Sequence, residues 1–272
     1  MQGEIMDSRI EVGHGRQLIV RTYLNPRAQK TLFLIHGLGG RSQQWLQQIN
    51  YFKNSFNIIA PDLLGHGESA RPHAKEKNLY AFSEHEADLQ TIFRQFATEE
   101  NILIGHSYGG ALATALACTH QDEINKMILI SPLPCAPSVS IPWLYRLPTP
   151  IMQLFRPLLE KKFQTLAFTS TDNRDILKTE MIAMRENDLH VIKAMINGVK
   201  HIPHIDVSML TIPTLILLGA KDNLVLPQSS ESFYTQLPNP QVIILKNAAH
   251  LSLLTQSEKV NRIMDSFIAA ID

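Results

Sequence analysis

At 272 residues the chain holds one large domain or two small ones, and 44% apolar against 18% charged residues suits a globular fold with a sizeable core. Twenty-five Lys and Arg balance twenty-five Asp and Glu, so the formal net charge is zero, without the basic excess that a phosphate backbone attracts. The balance argues against a nucleic acid partner, and no like-charge run marks an acidic tail or a polybasic anchor.

In chain order, residues 10–24 read as a hairpin. Ile10 and Val12 alternate with charge, Gly13-His14-Gly15-Arg16 turns the chain, and Leu18, Val20 and Thr22 resume the alternation. Continuous apolar runs then recur at 31–35, 57–60, 101–104, 126–130, 214–218 and 241–245, as expected of strands buried on both faces of a parallel sheet. Stretches with helical spacing lie between them, at 79–96, 108–120, 227–237 and 253–268. The alternation predicts an α/β fold, a mostly parallel sheet flanked by helices.

One segment interrupts it. Residues 132–208 contain no strand-like run, and seven of the fifteen prolines fall within 132–157, which excludes a long straight helix there. Helical character returns at 175–197. The expectation is a core of residues 1–131 and 209–272 with a helical cap inserted at 132–208, apolar in its first half from Ile141 to Phe155.

The two cysteines, Cys118 and Cys135, have no metal-ligand spacing and build no disulfide framework, as in a reducing compartment. Cys118 reads as a small buried hydrophobe. The first seven residues carry Glu4 and Asp7 and lack a signal-peptide core, and the most apolar stretch, 209–220, is too short to cross a bilayer. A cytoplasmic protein without an integral membrane segment is expected.

The chemistry is concentrated in four short motifs. Gly105-His106-Ser107-Tyr108-Gly109-Gly110 follows one predicted strand and opens a helix, so Ser107 sits in a sharp turn flanked by small residues. His36-Gly37-Leu38-Gly39-Gly40 ends another strand, where its backbone can turn an N–H toward a developing oxyanion; the donors expected are those of Leu38 and Tyr108. Asp222 and His250 each follow a late strand. A serine needs a base to take its proton, and the base needs a carboxylate to fix its tautomer. Asp62 and Asp88 are other available carboxylates, the first in a loop and the second on a helix as a salt-bridge partner.

These motifs, with Pro61-Asp62-Leu63-Leu64-Gly65-His66-Gly67-Glu68-Ser69 and Trp45, make the sequence resemble the α/β-hydrolase superfamily in its small cofactor-free esterase, lipase and haloperoxidase-like branch. The resemblance runs from about Arg9 to the C-terminus. It implies Ser107 as nucleophile, His250 as general base, Asp222 as orienting acid, and Leu38 and Tyr108 as oxyanion donors. Two positions depart from related patterns. Ala249 stands where glycine usually precedes the histidine, and Ser107 replaces the aspartate of haloalkane dehalogenases and epoxide hydrolases.

The expectation is a serine hydrolase of carboxylic esters or thioesters with an apolar acyl or alcohol group, without cofactor or metal. Trp143, Leu144 and Phe155 are the cap residues expected to line the substrate pocket. The alternatives are a carbon–carbon bond hydrolase or lyase of the same fold, or a ligand-binding protein on a hydrolase scaffold. The partners expected are a small-molecule ester and, through the apolar cap, a peripheral lipid surface; a monomer or a homodimer fits equally.

Overall fold

In the computed structural model, which describes residues 5–73, 78–133 and 142–270, the N-terminal alternation forms a hairpin. Its strands are β1 (Ile5–Val12) and β2 (Arg16–Tyr23), turning through Gly13–Gly15, so the pairing starts five residues before the first strong alternation. Each apolar run becomes a strand: β3 (Lys30–Ile35), β4 (Asn57–Pro61), β5 (Glu100–His106), β6 (Lys126–Ile130), β7 (Thr214–Gly219) and β8 (Pro240–Leu245). The sheet order is β1-β2-β4-β3-β5-β6-β7-β8; β2 pairs antiparallel with β1 and β4, and the strands from β4 to β8 are parallel.

Helices cover both faces. A short 3-10 turn (Ser42–Trp45) leads into α1 (Leu46–Phe52), followed along the chain by α2 (Phe82–Phe96) and α3 (Tyr108–Thr119). The strands divide their side chains by parity. Phe33, Ile35, Leu103 and Leu129 pack against α2 and α3, while Leu32, Leu34, Ile102, Ile104 and Ile128 pack against Trp45, Ile49 and Phe52. Burying such a side chain contributes about 1.5–3 kcal/mol, which is why a run of apolar residues, not an alternating one, specifies a central strand.

The segment between β6 and β7 is helical. A 3-10 turn (Trp143–Arg146) precedes α4 (Thr149–Leu154), α5 (Arg156–Ala167), α6 (Arg174–Arg185) and α7 (Leu189–Val199). The stretch expected to be helical over 175–197 is thus two helices, and the break at 186–188 brings Asn187 back to the core. The C-terminal part holds α8 (Pro227–Tyr234), α9 (Ser252–Thr255) and α10 (Ser257–Ala269). The helix expected over 253–268 breaks at Gln256, and Gln48 ties both sides of the break to α1, donating to Leu253 O and Asn261 Oδ1.

Cys118 differs from expectation: it is exposed, on the last turn of α3, with Asp206 O 3.8 Å from its sulfur. Cys135 and Ile141 lie outside the described residues. Among the described residues no helix is long and apolar enough to cross a membrane, and no cluster of three His, Cys, Asp or Glu is placed to hold a metal.

The chain runs from β3 outward to β4 on one side and from β5 outward to β8 on the other. The loops after β3 and β5 therefore diverge at one crevice, where open α/β sheets place their sites.

Candidate active site

Strand β5 ends against Ser107, whose backbone is left-handed at φ 53°, ψ −119°. Such a conformation is costly for a residue with a side chain and persists only where its surroundings fix it. Here Ser107 N–H donates to Ile130 O at 3.0 Å, and Ser107 O accepts from Gly110 N–H at 2.9 Å and Leu133 N–H at 3.0 Å. The flanking glycines are required by crowding. A Cβ on Gly105 would lie 2.4 Å from Gly109 O, and one on Gly109 would lie 2.3 Å from Ile35 O.

His250 follows β8 and Asp222 follows β7. His250 Nδ1 donates to Asp222 Oδ2 at 2.8 Å, and Asp222 Oδ1 accepts from Leu224 N–H and Val225 N–H, both at 2.9 Å. Burial works to raise the Asp222 pKa; the charge and hydrogen bond of His250 and the two backbone donors outweigh it and hold the carboxyl below its usual value. With Nδ1 committed to the carboxylate, His250 Nε2 is the basic nitrogen. Ser107 and His250 line the same cavity, and no hydrogen bond joins them in this structure. Ala249 is buried without a positive φ, so this turn does not need glycine.

The loop after β3 is shaped by two neutral histidines. His36 Nε2 accepts from Leu63 N–H at 3.0 Å while its Nδ1 donates to Gly37 O at 2.8 Å. His66 Nε2 accepts from Gly39 N–H at 3.0 Å. Burial lowers His36 to about 4 and His66 to about 3, so both keep these tautomers at neutral pH. Gly40 N–H closes the turn on Gly37 O at 3.0 Å. The N–H groups of Leu38 and Tyr108 have no acceptor among the described residues, and both residues line the cavity that holds Ser107.

The other carboxylates are engaged elsewhere. Asp62 Oδ1 accepts from Ser42 N–H at 2.6 Å and its Oδ2 from Glu68 N–H at 2.9 Å, and Asp88 pairs with Arg16 at 2.6 Å.

Against known families, residues 26–256 match the hydrolase family described as serine aminopeptidase, S33. The chain belongs to that family of α/β-hydrolases. It is 30% identical over 252 residues to the protein ABHD8 of Bos taurus, covering 89% of this chain and 56% of that relative's length. The chain thus spans little more than half of the curated relatives it matches there. A 2-hydroxymuconate semialdehyde hydrolase from Pseudomonas putida is 24% identical over 275 residues, covering 95% of each chain. Among solved structures, an esterase from Exiguobacterium antarcticum superposes with a TM-score of 0.85 at 18% identity, covering 97% of this chain and all of the other, a likeness of fold.

The cavity at Ser107 has a volume of about 320 Å³ and is lined on the cap side by residues of α5, α6 and α7. Leu144, Leu159, Phe163, Met184 and Ile196 form its apolar wall. Of the three pocket residues expected from the sequence, Leu144 is in place. Trp143 and Phe155 are not among the lining residues: their rings pack edge to face on each other at 6.5 Å, on the outer side of the cap. On the 3-10 turn Leu144 and Tyr145 face the cavity and Trp143 faces out, since successive residues there point different ways.

Three residues make contacts at the site that no motif announces. Glu180 on α6 lines the cavity and accepts from Gln44 Nε2 at 2.7 Å, with burial raising its pKa. Asn187 Nδ2 donates to Gly39 O at 2.8 Å. His106, beside Ser107, reaches the loop of His250: its Nε2 donates to His250 O at 3.0 Å. The insertion between β6 and β7 marked where cap residues would come from, but irregular spacing gave no sign of which ones reach the core.

Proposed function

We propose that this chain hydrolyses carboxylic esters or thioesters with an apolar acyl or alcohol part, through an acyl-enzyme on Ser107. The observation that carries the reading is the His250–Asp222 hydrogen bond of 2.8 Å beside the cavity that holds Ser107. Ser107 Oγ attacks the substrate carbonyl carbon as its proton passes to His250 Nε2, a contact that closes with substrate in place. The oxyanion takes hydrogen bonds from Leu38 and Tyr108 N–H, each donor worth about 3 kcal/mol in the transition state. Collapse breaks the bond to the leaving alkoxide or thiolate, which takes the proton from His250. Water, deprotonated by the same nitrogen, then attacks the acyl-enzyme and releases the acid and Ser107.

Glu180 and Gln44 give a mostly apolar cavity a polar wall next to the oxyanion loop. The apolar remainder supports an acyl or alcohol part held by burial.

The likeness over its full length to a 2-hydroxymuconate semialdehyde hydrolase favours carbon–carbon bond hydrolysis as the second reading. The same three side chains would serve it, and Leu38-Gly39-Gly40 lacks the Gly-Pro-Gly pattern expected of that branch. The test is hydrolysis of p-nitrophenyl esters from acetyl to dodecanoyl by wild type and Ser107→Ala. Turnover that peaks at one chain length and vanishes in the variant supports the ester reading. A folded wild type without turnover on any ester overturns it in favour of the second.

A further inference from the structure

The outer surface of the cap is unlike the rest of the protein. Ile151, Leu154, Phe155 and Leu158 are all exposed, Leu154 to 78%, and they follow the i, i+3, i+4, i+7 spacing of one helical face across α4 and α5. Lys161 takes the next place on that face, while Lys162 borders the cavity on the inner side. Trp143, 63% exposed, packs on Phe155, and Arg146 shares its side of the 3-10 turn three residues on.

Charge separates this surface from the neutral whole. From residue 142 to residue 171 the sole carboxylate is Glu160, which is buried and bonded to Arg156 and Arg185 at 3.2 and 3.0 Å. Arg146, Lys161 and Lys162 are exposed and have no ion-pair partner among the described residues. A stripe of large apolar side chains and an aromatic, bounded by cations and free of exposed carboxylates, has the composition of an interfacial helix on an anionic membrane. The segment is also the wall of the cavity, because Leu144, Leu159 and Phe163 line its inner side.

We propose that the outer face of α4 and α5, with the turn carrying Trp143, docks on an anionic lipid bilayer. Leu154, Leu158 and Trp143 enter the acyl boundary, and Arg146 and Lys161 meet the headgroups. The proposal concerns binding alone and does not depend on the reaction catalysed at Ser107.

The chain carries its own reporter. Of its two tryptophans Trp45 is fully buried, so a change in emission on adding vesicles reads Trp143. The full chain is mixed with vesicles of phosphatidylcholine, or of equal parts phosphatidylcholine and phosphatidylglycerol, and followed by fluorescence and co-sedimentation. A blue shift and sedimentation with the anionic vesicles are expected, with the shift absent in Trp143→Phe. Leu154→Ser with Leu158→Ser should weaken binding about tenfold or more, and Arg146→Glu with Lys161→Glu about as much. Both double variants change exposed side chains, and their thermal melts should match wild type. No binding to either vesicle overturns the proposal, as does equal binding to both, or binding that survives both double variants. So does a dimer in sedimentation velocity that Leu154→Ser with Leu158→Ser dissociates, since a second copy would then be what covers the face.

Discussion

His106 Nε2 donates to the carbonyl of His250 at 3.0 Å, and the two rings lie 4.7 Å apart. A carbonyl only accepts, so this bond places the His106 proton on Nε2 and leaves Nδ1 buried without a partner. Burial, with the neighbouring His250 ring, lowers the His106 pKa to about 3, and the ring stays neutral in the working range. His106 is therefore a positioning residue, tying the loop of the proposed base to the end of the strand that leads into Ser107, the proposed nucleophile. Glutamine can offer an amide N–H close to the position of Nε2, and leucine cannot. His106→Leu should lower kcat about tenfold with KM little changed, and His106→Gln should recover most of the loss. Steady-state kinetics on one short ester decides it, and equal losses in both variants would reduce the contact to packing.

Much of this arrangement is legible in the sequence. Six apolar runs fixed the strands because a strand buried on both faces leaves no room for polar alternation. Ser107 was legible because its turn admits only glycine two places to either side, a steric demand that leaves a mark in sequence. His106 was not, because a ring nitrogen meeting a backbone carbonyl 144 residues away leaves no local pattern. Trp143 and Phe155 mislead for a related reason: aromatic composition predicts a contact surface without saying which side of the cap it occupies.

Asp222 accepts three hydrogen bonds, two from backbone and one from His250. Asp222→Asn can keep the backbone bonds at Oδ1 while presenting an NH₂ to His250 Nδ1, which forces the wrong tautomer. In the proposed reaction kcat should fall about 10⁴-fold with the melting temperature nearly unchanged. A loss of less than about tenfold would show that the carboxylate does not orient the base.

Four buried histidines set the response to acid. Burial is the main cause in each: His36 is lowered to about 4, and His66, His85 and His106 to about 3. Between these values and the ordinary 6.5, the unfolded chain binds protons that the folded one refuses. Stability is full above 6.5 and lost as pH falls through this window, by about 1.4 kcal/mol per pH unit for each such histidine. Asp88 runs the other way. Burial, only partly offset by Arg16, raises it to about 6, so folding takes up a proton there and gains stability as pH falls from about 6 toward 3.8. Glu86 and Glu180, also raised by burial, act in the same direction as Asp88. The four histidines start to titrate higher, however, and the urea midpoint should drop steeply from about pH 6.5 to pH 5. A level midpoint across that range would contradict the assigned protonation states.

Gly39 is held from two directions. Its N–H donates to His66 of the core at 3.0 Å, and its carbonyl accepts from Asn187 of the cap at 2.8 Å. Asn187 is buried between α6 and α7, so the cap fixes the Gly39–Gly40 peptide, in the same loop as the N–H of Leu38, one of the two proposed oxyanion donors. Removing the amide frees that peptide to rotate, which weakens the transition state more than the folded state. Asn187→Ala should lower kcat about tenfold. Asn187→Asp has the same shape but, when ionised, sets an acceptor against the Gly39 carbonyl, and should lower kcat at least as far. Thermal melts of both variants separate this from a loose cap. If the aspartate variant works as well as wild type, Asn187 fills space there and the donor it supplies is idle.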